Sequence, residues 1–233
     1  MENKLFTIVN KEDEARFLAD LNANPDNFNK KLIFVFSDSV NYIMVNGEKF
    51  VSVEYVDLGL PSGLKWAKCN IGTNVETEPG LYFSWGDTEV HKHNSSCEFT
   101  LKNYVANGLD KISTNLTLSQ DASNVILGGV WRMPTKIEFE ELYNNTNITW
   151  TTINGVNGCK FTNKTDNSKY IFMPASGIYN NGSIISRWGE YGGYWSSTFF
   201  DSSRAWRFDF VSDSQGMYNG TRYIGCPIRG VCK

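Results

Sequence analysis

The two histidines are the first residues whose chemistry could define a site. His91 and His93 are the only histidines in the chain, and they lie two residues apart in the polar segment Glu89–Asn94. On an extended strand such a pair points to one side and could share a metal ion. A third ligand is not apparent, so we interpret the segment as a solvated loop and predict no metal site.

The cysteines do not have the spacing of a metal site or of a disulfide framework. Their number is odd and no two of them form a CxxC motif, which disfavours zinc binding and dense cross-linking. We predict that they are reduced and mostly fill space in the core. They are Cys69, Cys97, Cys159, Cys226 and Cys232, of which only the last two are close in sequence.

Other catalytic patterns are weak. Glu138, Glu140 and Glu141 lie on a predicted helix, where we expect carboxylates to face solvent. A Ser/His or Cys/His nucleophile would have to use the histidine loop, and no glycine-rich phosphate loop is present. The sequence therefore predicts a protein that is not an enzyme and that uses no cofactor.

The segment from Ile185 to Tyr223 has the chemistry of a contact surface. Aromatic rings alternate there with Arg, Asp, Ser and Asn, in the clusters Arg187–Tyr191, Phe199–Arg204 and Met217–Tyr223. Rigid rings provide contact area at low entropic cost, and short polar side chains adapt their hydrogen bonds. The alternative is that these are ordinary loops of an aromatic-rich fold.

Composition limits the function further. The chain has 233 residues, of which 41% are hydrophobic and 20% are charged, enough for one large domain or a domain with a small appendage. The net charge of −3 gives no basic surface for nucleic acid. The start of the chain does not resemble a signal peptide, and the apolar runs are too short to span a membrane, so we expect synthesis in a cytosol and no membrane insertion.

The first fifty-odd residues predict a helix and a small β-meander. Apolar residues recur at helical spacing between Asn10 and Asn22, and strands are expected at Leu32–Phe36, Tyr42–Val45 and Phe50–Val56. Asn46-Gly47 between two of these strands predicts a tight hairpin. We therefore assign residues 1–54 to a separate module, which is too small to be stable without a neighbouring surface or an oligomer.

From Tyr55 onward, short strands and long loops are expected, with few helices. The clearest helix is predicted over Lys136–Asn144, where Thr135 and Glu138 form a capping box, and a weaker one over Asp121–Leu127. The predicted strands are Gly80–Trp85, Tyr170–Pro174, Gly193–Thr198, Ala205–Phe210 and Arg222–Val231.

Tryptophans and one arginine in this region are expected to be structural. Trp66, Trp85, Trp131 and Trp195 are flanked by small residues and are predicted to fill the core. Arg132, which precedes Met133-Pro134, is expected to form a structural ion pair or to bind carbonyl groups rather than a ligand.

Six motifs in order resemble a known family. They are Tyr55–Ala67, Tyr82–Gly86, Gly128–Thr135 with Glu138–Leu142, Met173–Gly177, Gly193–Ser197 and Arg229–Val231. This pattern resembles the Fibrobacter succinogenes major paralogous domain, a family widespread in Bacteroidota and their phages. That family is similar to the C-type-lectin-like fold of phage receptor-binding variable proteins and formylglycine-generating enzymes.

The resemblance implies a fold and a set of contact residues. It implies an α+β chain in which residues 55–233 form a C-type-lectin-like domain with short strands, few helices and long loops, preceded by the helix and β-meander. In the phage proteins the C-terminal segment faces the receptor. By that resemblance the contact residues here are Arg187, Tyr191, Phe199, Phe200, Asp201, Arg204, Tyr218, Asn219, Arg222 and Tyr223.

The function implied is that of a phage virion structural protein, such as a head fibre, a capsid decoration or a tail-fibre tip. Residues 1–54 would dock on other virion proteins or form a homo-oligomer, a dimer or a trimer, and the lectin-like domain would bind a host cell-surface glycan or protein. One alternative is an adhesin-like or scaffold protein on the surface of a bacterium of the Bacteroidota.

Two known activities of related folds are poorly matched. Glu78-Pro79-Gly80 lacks the amide of a calcium-dependent lectin loop, so a calcium-assisted sugar site is not expected. A formylglycine-generating enzyme needs a reactive cysteine pair, and the surroundings of Cys226 do not establish one, which leaves this enzyme as a remote alternative.

Overall fold

The computed structural model describes residues 53–89, 99–180 and 187–233 in full, together with the backbone of four strands at Leu32–Ser37, Val40–Val45, Glu48–Phe50 and Ser183–Ser186. The chain divides into two compact units, residues 1–54 and 55–233. The helix predicted at Asn10–Asn22, the histidine pair and Cys97 lie outside the described residues.

The first unit contains an antiparallel sheet of three strands in the order β1-β2-β3. These are β1 (Leu32–Ser37), β2 (Val40–Val45) and β3 (Glu48–Phe50). Val45 pairs with Glu48, which places β2 and β3 on either side of residues 46 and 47 as the hairpin prediction requires. The strand predicted over Phe50–Val56 is wrong in extent, since β3 covers Glu48–Phe50 and another strand begins at Tyr55 in the second unit.

The second unit is built from small sheets and few helices, an α+β or mostly-β arrangement. Its helices are α1 (Leu101–Ala106), α2 (Ala122–Leu127) and α3 (Lys136–Asn145), with 3₁₀ turns at Leu109–Lys111 and Leu118–Gln120. Its strands are β4 (Tyr55–Asp57), β5 (Lys65–Ala67), β6 (Tyr82–Phe83), β7 (Thr146–Ile153), β8 (Val156–Asn163), β9 (Tyr170–Pro174), β10 (Ile178–Asn180), β11 (Ser183–Ser186), β12 (Gly192–Phe199), β13 (Arg204–Val211), β14 (Ser214–Thr221), β15 (Cys226–Pro227) and β16 (Val231–Cys232).

Two sheets of three antiparallel strands dominate this unit. One has the order β7-β8-β9 and the other the order β12-β13-β14. In three smaller sheets, β5 pairs with β4 and β16, β6 with β15, and β10 with β11. The strand predicted over Arg222–Val231 is wrong in extent. The chain there forms only the two-residue strands β15 and β16, which pair with β6 and β5.

Helix α3 begins where the capping box predicts. The hydroxyl of Thr135 accepts a hydrogen bond from the Glu138 N–H, and the Glu138 carboxylate accepts from the Thr135 N–H at 2.8 Å. Arg132 forms a bidentate ion pair with the same carboxylate, which confirms its structural assignment. The expectation that Glu138 faces solvent is therefore wrong, since capping and ion pairing hold it against the protein. Glu141 likewise accepts from the N–H and hydroxyl of Ser62.

The core is centred on aromatic rings, as the tryptophan pattern predicts. Trp66, Trp85, Trp131 and Trp195 are all buried. Phe208 of β13 stacks on Phe139 of α3 at 5.1 Å and meets Phe161 of β8 at 5.8 Å, so one ring joins the helix and both large sheets.

The hairpin formed by β7 and β8 was not predicted. Its turn is Asn154-Gly155, with φ angles of 49° and 81°. This is the same dipeptide signal that predicts the turn at Asn46-Gly47, because both positions require positive φ. Eight residues on each side pair in register from Thr146–Asn163 to Ile153–Val156.

Candidate recognition surface

The sheet β12-β13-β14 positions most of the predicted contact residues. Its strands pair along their length, from Arg204–Thr221 at one end of β14 to Val211–Ser214 at the other. The loop between β12 and β13 and the neighbouring end of β14 bring together side chains that are far apart in sequence. We call this group, Phe200, Asp201, Arg204, Trp206 and Asn219, the hairpin-end cluster.

Arg204 organises the polar part of the hairpin-end cluster. Its Nε and Nη2 atoms donate to one Asp201 carboxylate oxygen at 2.9 and 2.6 Å, and its Nη1 donates to the Asn219 amide oxygen at 3.0 Å. Asp201 also accepts from the N–H of Ser203 at 2.9 Å. The Arg204 guanidinium and these N–H groups hold the pKa of the Asp201 carboxyl well below its usual range, so the ion pair persists at neutral pH.

The aromatic part of the cluster consists of two rings, each with a cationic side chain beside it. The Arg204 guanidinium lies 4.7 Å from the Phe200 ring centre, and Phe200 meets Trp206 edge-on at 5.1 Å. Lys136, at the start of α3, lies 4.8 Å from the other ring, that of Trp206. Phe200 is 37% exposed, so a large apolar ring faces solvent from a position fixed by its neighbours.

Phe199 and Arg222 lie beneath this cluster. The Phe199 ring is half-buried, 6.2 Å from the Trp85 ring and 5.7 Å from the Arg222 guanidinium. Arg222 is only 1% exposed and donates to the carbonyls of Asp110, Ile112 and Ser202. The interpretation of Arg222 as a contact residue is therefore corrected. Its Nη1 and Nη2 atoms donate to the backbone next to the cluster, so these donors are not available to a ligand.

A second group lies on one face of the same sheet, and we call it the sheet-face cluster. It consists of Arg187, Tyr191, Arg207, Asp209 and Tyr218. Arg207 forms a bidentate ion pair with Asp209 at 2.6 and 2.9 Å. The Tyr191 ring lies 5.6 Å from the Arg187 guanidinium and 5.9 Å from that of Arg207.

Tyr218 completes the sheet-face cluster. It pairs with Arg207 across the strands and is 51% exposed. Its neighbours on the same face of β14 are Gly216 and Gly220, and the Arg207 guanidinium occupies the space that a side chain at Gly220 would need. Burial raises the pKa of the Tyr191 hydroxyl, so that residue contributes a ring rather than a titrating group.

One further residue was predicted to make contacts, and two tryptophans near the clusters were not. Tyr223 is half-buried, and its carbonyl accepts from the Ser84 hydroxyl at 2.9 Å. Trp206 was missed, although it follows directly on Ala205 in a predicted strand. Trp188 was also missed. Trp188 is 51% exposed and follows Arg187 in a turn. The φ of Arg187 is 64°, a value that residues other than glycine rarely adopt.

Three features of the described part of the chain bear on metal and thiol chemistry. No group of three His, Cys, Asp or Glu side chains there could hold a metal ion. Among the described residues, Asp87 is the only carboxylate that lines a cavity of about 200 Å³ near α1, and one carboxylate is fewer than a Ca²⁺ site normally uses. Burial raises the pKa of the Cys226 thiol to about 12, so it stays protonated at neutral pH.

Among the residues that the structure describes, no helix is long and apolar enough to cross a membrane.

Comparison with known proteins gives one match. A family model described as a domain of unknown function (DUF8237) matches residues 131–230. No curated protein matches the chain, and neither does any solved structure. The matched segment contains α3, both large sheets and every residue of the two clusters. Over that segment the chain is similar to a family whose function is not defined.

Proposed function

We propose that residues 55–233 act as a recognition domain that binds a host cell-surface glycan or protein through the hairpin-end cluster. We further propose that the chain is a structural protein of a phage virion, such as a head fibre, a capsid decoration or a tail-fibre tip. The C-type-lectin-like fold belongs to this proposal and is supported by the six sequence motifs.

The observation that carries the proposal is an exposed ring in a preorganised setting. Phe200 faces solvent, while the Arg204 guanidinium beside it is already held by Asp201 and Asn219. A side chain that is ordered before binding loses little conformational entropy when a partner arrives. Aromatic and arginine residues in such positions are those that most often dominate binding energy.

The virion setting is supported by the family resemblance and by the small first unit. A three-stranded sheet gains stability from a neighbouring surface. Docking on a virion would supply that surface, and assembly of several copies would multiply weak contacts through avidity.

Binding can be tested with fluorescently labelled full-length protein on a panel of Bacteroidota cells. We expect Phe200→Ser to weaken binding to a responsive strain by about tenfold or more, since truncating a hot-spot residue costs about 2 kcal/mol or more. Tyr55→Ser is a matched control, since Tyr55 is an exposed ring on the separate strand β4. Equal binding by the wild type and Phe200→Ser would contradict the assigned site.

The virion assignment has its own test. Antibodies against the protein should label purified phage particles from a lysate that produces the chain, and mass spectrometry of the particles should recover its peptides. Labelling of intact uninfected bacterial cells instead would favour the surface adhesin.

A further inference from the structure

The two large sheets have four outer edges, which differ in whether they form hydrogen bonds with the rest of the domain. At β9, the carbonyls of Phe172 and Pro174 accept from Arg229 and from the Tyr194 hydroxyl. At β12, the N–H of Ser197 donates to Pro134 and its carbonyl accepts from Leu116. These two edges are thus bonded to the rest of the domain. No strand that the structure describes pairs with the outer edges of β7 and β14.

The open edge of β7 can be assigned residue by residue. The pair Ile153–Val156 flanks a two-residue turn and is therefore hydrogen-bonded, and bonded pairs then alternate along the hairpin. The N–H and C=O groups of Ile148, Trp150 and Thr152 consequently point away from β8. Within the described ranges, these main-chain groups have no hydrogen-bond partner.

The main core is also incompletely covered next to β7. The apolar side chains that pack on the main core but stay partly exposed include Tyr143, Ile148, Trp150 and Met217. Trp150 meets Phe210 edge-on at 6.3 Å, and Tyr143 stacks on Phe208 at 5.9 Å. Ile148 and Trp150 belong to β7 itself, so a strand added to β7 would bury more of the surface of these two side chains.

The sequence of β7 favours pairing over protection. From Asn144 to Cys159 no residue is charged and none is proline, whereas edge strands usually carry Lys, Pro or bulges that block association. β7 is rich in Thr, Ile and Trp, which are strong strand formers. β14 is a poorer candidate, because it contains two glycines and its Asn219 side chain is engaged by Arg204.

We propose that β7 pairs antiparallel with β7 of a second copy of this chain, joining two β7-β8-β9 sheets into one six-stranded sheet. A second copy fits this edge because the pairing is self-complementary. The alternating free donors and acceptors of the strand match those of its own antiparallel copy, and an uncharged strand brings no like charges together. The interface does not depend on the proposed recognition function.

The first test blocks the edge in the full-length chain. Thr152→Pro removes an N–H that points to the open side and leaves the ladder to β8 intact. Gln215→Pro is the matched control, since Gln215 occupies the equivalent outward position on β14, beside the bonded pair Val211–Ser214. Sedimentation equilibrium should show a wild-type mass that Thr152→Pro halves and that Gln215→Pro leaves unchanged.

The second test uses charge at the expected two-fold axis. Pairing along most of β7 places the two Thr149 residues within cross-strand or diagonal reach of each other, and Thr149 is exposed on the sheet face. Thr149→Lys and Thr149→Glu should each raise the dissociation constant by about tenfold or more. An equimolar mixture of the two variants should associate again as a heterodimer.

Three results would overturn the proposal: a monomeric wild type at every concentration, a Thr152→Pro mass equal to that of the wild type, or no recovery on mixing the Thr149 variants. Urea unfolding of each variant distinguishes lost pairing from lost folding. If Thr152→Pro unfolds, the Thr149 pair decides the question alone. Cell binding by Phe200→Ser is measured separately, so either proposal can fail without the other.

Discussion

The acceptors of the guanidinium groups distinguish the arginines that hold this protein together from Arg204, which lies in the proposed recognition surface. Arg222 and Arg229 are buried and donate mainly to main-chain carbonyls, while Arg204 is exposed and pairs with the half-buried side chains of Asp201 and Asn219. The sequence surroundings of Arg204 and Arg222 are alike, with Ser, Thr and aromatic neighbours. Burial depends on which loop carbonyls lie nearby, so the sequence could suggest a contact segment but could not show which of its arginines is buried.

Replacing the buried arginine tests this distinction. In Arg222→Lys, a single ammonium group cannot reach the carbonyls of Asp110, Ile112 and Ser202 together, and buried acceptors are left unpaired. We expect a loss of about 2–3 kcal/mol in the free energy of unfolding, measured with urea. Arg204→Lys is the control and should lose less than about 1 kcal/mol. Equal losses in the two variants would contradict the assignment.

The buried thiols make a second prediction at this scale. Burial raises the pKa values of Cys159 and Cys226 to about 12, so both remain thiols at pH 8. In native protein, iodoacetamide should modify neither residue, and both should react after unfolding, as peptide mass spectrometry can show. Rapid alkylation of native Cys226 would instead revive the enzyme interpretation.

Elements with a clear period or a capping signal were predicted from the sequence, and others were not. Helix α3 and the strands β9, β12 and β13 lie within one or two residues of their predicted bounds. β7 and β8 were missed because Thr, Asn and Gly obscure the alternation of Ile148 and Trp150. α1 has only six residues and one buried side chain, Tyr104, too little pattern for a helix prediction.

The close packing of β8 against β9 can be tested by adding one methyl group at Gly158. A side chain at Gly158 would clash with the main-chain carbonyl of Met173, which cannot move without disturbing the sheet. Gly158→Ala should lower the free energy of unfolding by about 1–3 kcal/mol. Gly216→Ala is the control, because its methyl group would meet only the Tyr218 ring at 3.5 Å. A stable Gly158→Ala protein would show that the two strands are less tightly packed.

The start of α3 predicts a pH dependence. Burial alone would raise the pKa of Glu138, but hydrogen bonds from Arg132 and Thr135 outweigh it and lower the pKa. A lowered pKa means that the stabilisation is present above the unfolded value of about 4.3 and is lost as pH falls below it.

Glu138→Gln should therefore lose about 1 kcal/mol of stability at pH 7 and less at pH 3. Urea titrations at the two pH values measure the difference. If Glu138→Gln and the wild type show the same change between pH 7 and pH 3, the carboxylate does not stabilise the helix start.

At the scale of the whole molecule, contact and stability are assigned to different groups of residues. A framework of buried rings and arginines fixes the sheet β12-β13-β14, while Phe200 and Arg204 at its end and Tyr218 on its face remain exposed. The sequence indicates such a division, because the predicted contact clusters alternate with glycine- and tryptophan-rich motifs. Which member of each cluster faces outward depended on strand register and on Arg222, neither of which a sequence pattern specifies.

The most direct test of this division compares Phe200→Ser with Arg222→Lys in cell binding and in urea unfolding of the same preparations. Phe200→Ser should lose about tenfold in binding and keep the wild-type unfolding midpoint, while Arg222→Lys should unfold at clearly lower urea. A Phe200→Ser protein that binds normally and unfolds as early as Arg222→Lys would contradict the central claim.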